Sequence, residues 1–480
     1  MTCLRSISAL AVLMLACGGP PLAAPPPRSS AATIALELVS TDGDLSGGRV
    51  AWAWMPEDEF APLAAGQPTD ATLVALFEAF RVTEPIDLAT GAPETVGEVD
   101  ASGAGGFVAV YEPLRGHFLE TVAGRPSPAS RLALSEIVRP MSTDPVTVRI
   151  ELRARPEGAP RPERCAGERR ELTVIDAPEV VGEADNDPSR RLCVMLPPSY
   201  ATAPDRRYPT IYLLHGYGGD DTVYLHLADA RDRLAESGAP EAILVGVDSH
   251  ARYGASYFHD TPYAGAWEGF IAHAVREIDA RYRTQADPRM RGLIGHSTGG
   301  YNAISLALRR TDLFTAAAAS SPDGLDFDAW LFDGGHARPL WLHWTRLEAA
   351  FGGGGQMISY AAQLDPEARA EPAWPFDLRT GERDATVWAR WVAATPRALL
   401  DDPAVARRVE RNLNDRLFIS VGRHDAFGLF DPAERFHARL DELGIANTWA
   451  PTDGTHFDGS QERREAGLAF LLERMAARTP

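Results

Sequence analysis

The sequence predicts an α/β protein, a mostly parallel sheet with helices on both faces, preceded by a smaller β-rich, sandwich-like domain. Three observations carry this. From about residue 190, apolar runs of strand length alternate with amphipathic helical patterns, the rhythm of a parallel sheet covered by helices. Between Thr33 and Leu152 the apolar residues instead recur with period two, as in half-buried strands. A Pro- and Arg-rich connector, RARPEGAPRPER at Arg153 to Arg164, separates the two regions. With 480 residues, 45% of them hydrophobic, the chain can bury the cores of two or three domains.

Taken in order, the first residues read as an address. Arg5 gives a short basic start, and Ile7 to Ala16 is an apolar run of secretory-signal length. It falls short of the roughly 18 apolar residues that span a bilayer. The run ends Leu13-Met14-Leu15-Ala16-Cys17, which resembles a bacterial lipoprotein signal; the resemblance implies lipidation of Cys17 as the new N-terminus. The alternative is an ordinary signal peptide cleaved nearby. Residues 1–16 are therefore assigned as signal peptide and 17–32 as a Pro/Ala-rich tether. Of the four cysteines, Cys3 and Cys17 belong to this segment. Cys165 and Cys193 remain, and in an oxidising compartment they can pair; otherwise they are two separate buried thiols.

The β-rich domain is placed at 33–153. Its alternating sets are Ile34, Leu36 and Leu38; Val50, Trp52 and Trp54; and Val146, Val148, Ile150 and Leu152, with one helical stretch at Leu73, Leu76, Phe77 and Phe80. Trp52 and Trp54 could stack on sugar rings, but same-face aromatics in a strand read first as core. After a connector at 154–180, the catalytic domain runs over 181–480. Its buried strands are expected at Thr210–Leu214, Ala242–Val247, Gly292–Ile294, Phe314–Ala319 and Leu417–Val421. A helix from Trp267 to Tyr282 places Phe270, Ile271, Ala274, Val275 and Ile278 on one face. The segment at about 325–400, with six of the ten tryptophans, reads as a cap over the site. Those tryptophans either line a pocket or pack within the cap.

Composition removes several chemistries. The 66 acidic residues against 47 basic ones give a net charge of −19, which repels nucleic acid and anionic lipid. Every basic residue is arginine, so no lysine can serve a Walker A loop, a Schiff base or a Ser-Lys dyad. The twelve histidines show no H-E-x-x-H pattern and no matching Cys spacing, so no metal is expected. Gly216-Tyr217-Gly218-Gly219 is not a dinucleotide fingerprint, and no cofactor is expected.

One string carries chemistry: Gly295-His296-Ser297-Thr298-Gly299-Gly300. Alone, G-x-S-x-G is a weak signal. Here it follows a buried run and precedes the helical pattern Ala303, Ile304, Leu306 and Ala307, the strand–turn–helix of a nucleophile elbow. A serine hydroxyl needs a base, and in this arrangement acid and then histidine follow the serine in the chain. His456, after the apolar Asn447–Ala450 segment, fits as base, with His424 and His437 as rivals. Asp425, directly after Leu417–Val421, fits as acid, with Asp431 and Asp453 as rivals. The oxyanion of an acyl-transfer intermediate needs amide donors, and Thr298 and Tyr217 are placed to supply them.

These motifs, with Val194-Met195-Leu196-Pro197, Tyr212-Leu213-Leu214-His215-Gly216 and Tyr282-Arg283-Thr284, resemble the esterase family of α/β-hydrolases that includes esterase D and antigen 85. The resemblance covers about Arg190 to His456 and does not reach residues 1–150. It implies an α/β-hydrolase fold, the triad Ser297, Asp425 and His456, and a small-molecule or glycan-linked ester as substrate. Thr298 stands where the family usually has methionine, which implies a smaller and more polar pocket wall. The expected function is an exported serine esterase acting through an acyl-enzyme, touching membrane only through its lipid anchor. Alternatives are an acyltransferase of antigen 85 type and an inactive cell-surface binding protein.

Overall fold

The computed structural model describes residues 31–476 apart from 41–44, 65–74, 77–78, 83–85, 102, 113–130, 141–144, 153–164, 339–340, 343–344, 347–355, 368–373 and 426. Residues 1–16, the tether as far as residue 30 and Cys17 lie outside the described residues.

The N-terminal region folds as two small sheets. In the first, Ala32–Ser40 is central, antiparallel to Glu94–Ala101 and parallel to Val146–Leu152. In the second, Leu45–Pro56 pairs antiparallel with Gly105–Glu112, Arg81–Val82 and Ile86–Leu88, and Gly105–Glu112 pairs with Arg131–Leu134. Ile34, Leu36, Leu38 and Ile150 from one sheet meet Val50, Trp52, Phe107 and Ala109 from the other in a single core, a sandwich. Trp52 is thus core, edge-tilted against Phe107 at 6.0 Å. The strand Leu45–Pro56 is also buried on its other face. Ala51, Ala53 and Met55, one residue out of phase with Val50 and Trp52, join Phe60 and Leu76 in an apolar cluster continuous with the core of the C-terminal domain. The sandwich is therefore seated on the rest of the protein.

The C-terminal domain is built on eight strands: β1 (Arg170–Asp176), β2 (Ser189–Met195), β3 (Thr210–Leu214), β4 (Ile243–Val247), β5 (Arg291–His296), β6 (Ala317–Ser320), β7 (Leu417–Ser420) and β8 (Thr448–Trp449). Their spatial order is β1-β2-β4-β3-β5-β6-β7-β8. β2 is antiparallel to both its neighbours, and every pairing from β4 to β8 is parallel. This is the α/β-hydrolase fold. Strand periodicity sorts the side chains into two layers. Tyr212, Leu214, Leu293, Ala317 and Ile419 face α2 (Trp267–Arg281), α3 (Thr298–Arg309) and α7 (Phe430–Glu442). Ile211, Leu213, Ile294, Ala318 and Phe418 face α1 (His226–Glu236) and α8 (Ser460–Ala476). Burial on both faces is why these strands read as unbroken apolar runs. Each fully buried Leu or Ile contributes roughly 1.5–3 kcal/mol.

Cys165 and Cys193 are joined by a disulfide with Cα atoms 5.6 Å apart, pinning the chain ahead of β1 to the middle of β2. Between β6 and β7 lie α4 (Gln356–Leu364), α5 (Ala385–Ala393) and α6 (Pro403–Leu413), with short helices at Phe327–Leu331 and Pro396–Leu399. Trp330, Trp341 and Trp391 are fully buried; Trp330 packs on Phe327 and on Trp341, and Trp391 packs on Tyr360. Among the described residues, these tryptophans form the interior of the segment rather than an open pocket wall.

Candidate active site

The C-terminal ends of β3, β5, β6, β7 and β8 converge on one point. At the end of β5 the chain turns sharply, and Ser297 takes φ 58° and ψ −127°, a conformation costly for a side-chain-bearing residue. The flanking glycines make the turn sterically accessible. A Cβ on Gly295 would lie 2.1 Å from the Gly299 carbonyl oxygen, and one on Gly299 would lie 1.9 Å from that of Leu214. The backbone is closed by Ser297 N–H donating to Ser320 O at 3.0 Å, while Ser297 O accepts from Tyr301 N at 3.0 Å. Ser297 is left half-buried at the N-terminus of α3.

Asp425 and His456 come together from the loops after β7 and β8. His456 Nδ1 donates to Asp425 Oδ2 at 2.8 Å, and both residues are buried. The other carboxylate oxygen, Oδ1, accepts from Phe427 N–H at 3.0 Å. The loops zip to one another: Thr452 N donates to Val421 O, Arg423 N to Thr452 O and His424 N to Gly454 O. With the hydrogen on Nδ1 held by Asp425, the basic lone pair of the neutral imidazole sits on Nε2. The His456 ring packs against His296, Phe427 and Phe457 at 4.6, 4.8 and 5.0 Å. Burial, with His456 nearby, holds His296 well below the usual histidine range, so it stays neutral.

The rival residues are not part of this buried pair. His424, Asp431 and Asp453 are exposed. His437 stacks on Trp449 at 5.2 Å and bonds Asn447 through Nδ1, a packed position rather than a solvated face.

The loop after β3 runs beside Ser297: a Cβ on Gly216 would lie 3.5 Å from Ser297 Cβ. His215 sets this loop. Its Nε2 accepts from Ser249 N–H at 3.0 Å, which puts the hydrogen on Nδ1, and Nδ1–H donates to Gly216 O at 2.7 Å. Gly219 N–H donates to the same carbonyl at 3.1 Å. The Gly216 carbonyl belongs to the peptide that carries the Tyr217 N–H, so fixing one end aims the other.

Two residues of the site carry no sequence motif. Arg463, on α8, is buried and donates to Thr455 O, His456 O and Asp458 O at 2.9, 3.0 and 3.0 Å, and to the Thr452, Ser320 and Ser321 hydroxyls. Asp323, on the turn after β6, accepts the Ser297 hydroxyl on Oδ1 at 3.1 Å. Burial raises its pKa, against the opposing pull of its hydrogen bonds and of His456. Thr298 is fully buried and its hydroxyl donates to Asp323 Oδ2 at 2.7 Å, so its side chain buttresses this acid instead of simply widening a pocket. Asp323 meets the strand-end and chain-order criteria that select Asp425; only the fold shows which acid meets histidine and which meets serine.

Residues 186–469 match a family model described as "Putative esterase", more than half of the chain, and the chain belongs to this esterase family. Curated proteins similar to it include Esterase Rv1288 and Esterase MT1326 of Mycobacterium tuberculosis, each 31% identical over 198 residues. The match covers 41% of this chain and 41% of each relative, so the chain spans about two fifths of the length of the curated relatives it matches. Among solved structures it resembles a ferulic acid esterase at 20% identity, covering 64% of this chain and 98% of that one with a TM-score of 0.45. It also resembles MPT51 (FbpC1) of Mycobacterium tuberculosis at 14% identity, covering 65% and 100% with a TM-score of 0.43. Similarities of this level carry no argument about substrate.

Proposed function

We propose that the protein is an exported serine esterase that cleaves a carboxylic ester through an acyl-enzyme. Ser297 Oγ attacks the ester carbonyl as His456 Nε2 takes its proton, and Asp425 holds the imidazole and the positive charge it acquires. The Thr298 N–H at the start of α3 and the Tyr217 N–H supply the oxyanion hole. His456 returns the proton to the departing alkoxide, and water activated by the same histidine then resolves the acyl-enzyme. Phe457, 52% exposed beside His456, gives the mouth of the site an apolar lip suited to an organic ester. Export is supported by residues 1–17 and by the Cys165–Cys193 disulfide, which persists in an oxidising compartment.

The observation that carries the reading is the buried 2.8 Å Asp425–His456 pair at the strand ends that also present Ser297 on its strained turn. Labelling with a fluorophosphonate probe tests it. Wild type is expected to label, while Ser297→Ala and His456→Ala remain unlabelled. Absence of label on folded wild type overturns the assignment.

A further inference from the structure

Asp323 is 2% exposed, and its two oxygens meet different surroundings. Oδ2 accepts three donors: Thr298 Oγ1 at 2.7 Å, Gln356 Nε2 at 2.8 Å and the Tyr360 hydroxyl at 2.7 Å. These come from α3 and α4, and Tyr360 is itself held by stacking on Tyr257 at 4.0 Å. One oxygen of the carboxylate is thus fixed from two elements, and the other, Oδ1, accepts the hydroxyl of the nucleophile.

We propose that Asp323 is a specificity-determining residue, whose Oδ1 receives a hydrogen-bond donor, hydroxyl or ammonium, on the carbon next to the scissile carbonyl of the acyl group. The inference rests on the serine-esterase reading above. During acylation Oγ bonds to the carbonyl carbon, the bond to the alcohol oxygen breaks, and the Oγ proton passes through His456 to that oxygen. Oγ then carries no hydrogen, so Oδ1 loses its donor and faces an ester oxygen. A buried carboxylate oxygen stripped of its partner is costly. A donor on the α-carbon lies three bonds from Oγ and can take the place of the lost hydrogen. Before attack, the same donor would occupy Oδ1 and release the Ser297 hydroxyl toward His456. Burial, which already disfavours charge on Asp323, increases what such a partner contributes. A site with a buried acceptor rejects an apolar isostere more strongly than a hydrophobic pocket discriminates by size.

The test uses 4-nitrophenyl esters of three acyl groups of equal size: isobutyrate, lactate and L-alanine. Each kcat/KM is divided by the ester's rate with hydroxide, which removes intrinsic reactivity. Wild type is expected to favour the lactyl or alanyl ester over the isobutyryl ester by at least about tenfold. The lactate and alanine arms tell hydroxyl from ammonium. In Asp323→Asn and Asp323→Ala the preference is expected to collapse to within about threefold. An active wild type without the preference overturns the proposal, as does a preference that survives Asp323→Ala. If the variants do not fold, the wild-type ratio decides alone. Fluorophosphonate labelling separates the two failures. Labelled enzyme with a ratio near one sinks only the role of Asp323, whereas no label and no hydrolysis of any ester sinks the esterase reading and this inference with it.

Discussion

The buried guanidinium of Arg463 donates to the main-chain carbonyl of His456 at 3.0 Å and to that of Thr455 at 2.9 Å. The imidazole is therefore positioned from both ends, Asp425 holding the ring and Arg463 the backbone beneath it. The same guanidinium reaches the Ser320 and Ser321 hydroxyls at 3.3 Å, tying the histidine loop to the end of β6.

Arg463→Met removes these donors and leaves several carbonyl oxygens unsatisfied, each costing about 1–3 kcal/mol if it stays buried. We expect kcat on an aryl ester to fall about 10²-fold with KM nearly unchanged, because a small displacement of the base costs that much. Arg463→Lys should recover part of it. Steady-state kinetics with circular dichroism to establish folding checks the split.

In the proposed mechanism His215 acts on the oxyanion hole at one remove, through Gly216 O. His215→Ala should lower kcat by about 10²-fold, near the loss for deleting one oxyanion donor. His215→Asn, whose amide can still donate to Gly216 O, should lose less. Single-turnover acylation rates distinguish the two variants.

Acid should destabilise the fold through its buried histidines. Burial lowers the pKa of His215 and more strongly those of His259 and His296. The unfolded chain then binds protons that the folded one refuses. Stability is fully present above the unfolded value of 6.5 and is lost as pH falls below it toward the depressed folded values. Each such histidine costs up to about 1.4 kcal/mol per pH unit within that window. Asp323, whose folded pKa is raised, contributes with the opposite sign at lower pH: its share is full below 3.8 and is lost as pH rises through the folded value. Urea denaturation at pH 7.5 and 5.5 should show lower stability at the acid point.

The Cys165–Cys193 disulfide spans 28 residues. Chain-entropy reasoning gives its removal a cost of about 3–4 kcal/mol. A double substitution to serine should lower the midpoint of thermal unfolding, and reductant should do the same to wild type. Equal midpoints with and without reductant would contradict a stabilising role.

Much of this protein is legible along the chain because its cues are local. Period-two patterning marks Ile34, Leu36 and Leu38 as strand, unbroken apolar runs mark β3 to β7, and Gly295 to Gly299 spell a turn that only small residues allow. Asp425 and His456 are nominated by strand ends and chain order, and the fold brings them to 2.8 Å. Other features depend on which surfaces meet, and no local cue encodes that. Ala51, Ala53 and Met55 look like the outer face of a strand until the sandwich seats on the hydrolase core. The tryptophans between β6 and β7 divide between pocket and interior only when Trp330, Trp341 and Trp391 are found buried. Asp323 becomes part of the site because Ser297, Thr298, Gln356 and Tyr360, spread over 64 residues of chain, converge on one carboxylate. The sequence alone determined the strands and the turn that carries Ser297, whose constraints lie between neighbours in the chain. The tertiary structure decided the partners of the buried charges, because a buried acid or guanidinium takes whatever donors and acceptors the packed elements bring within reach.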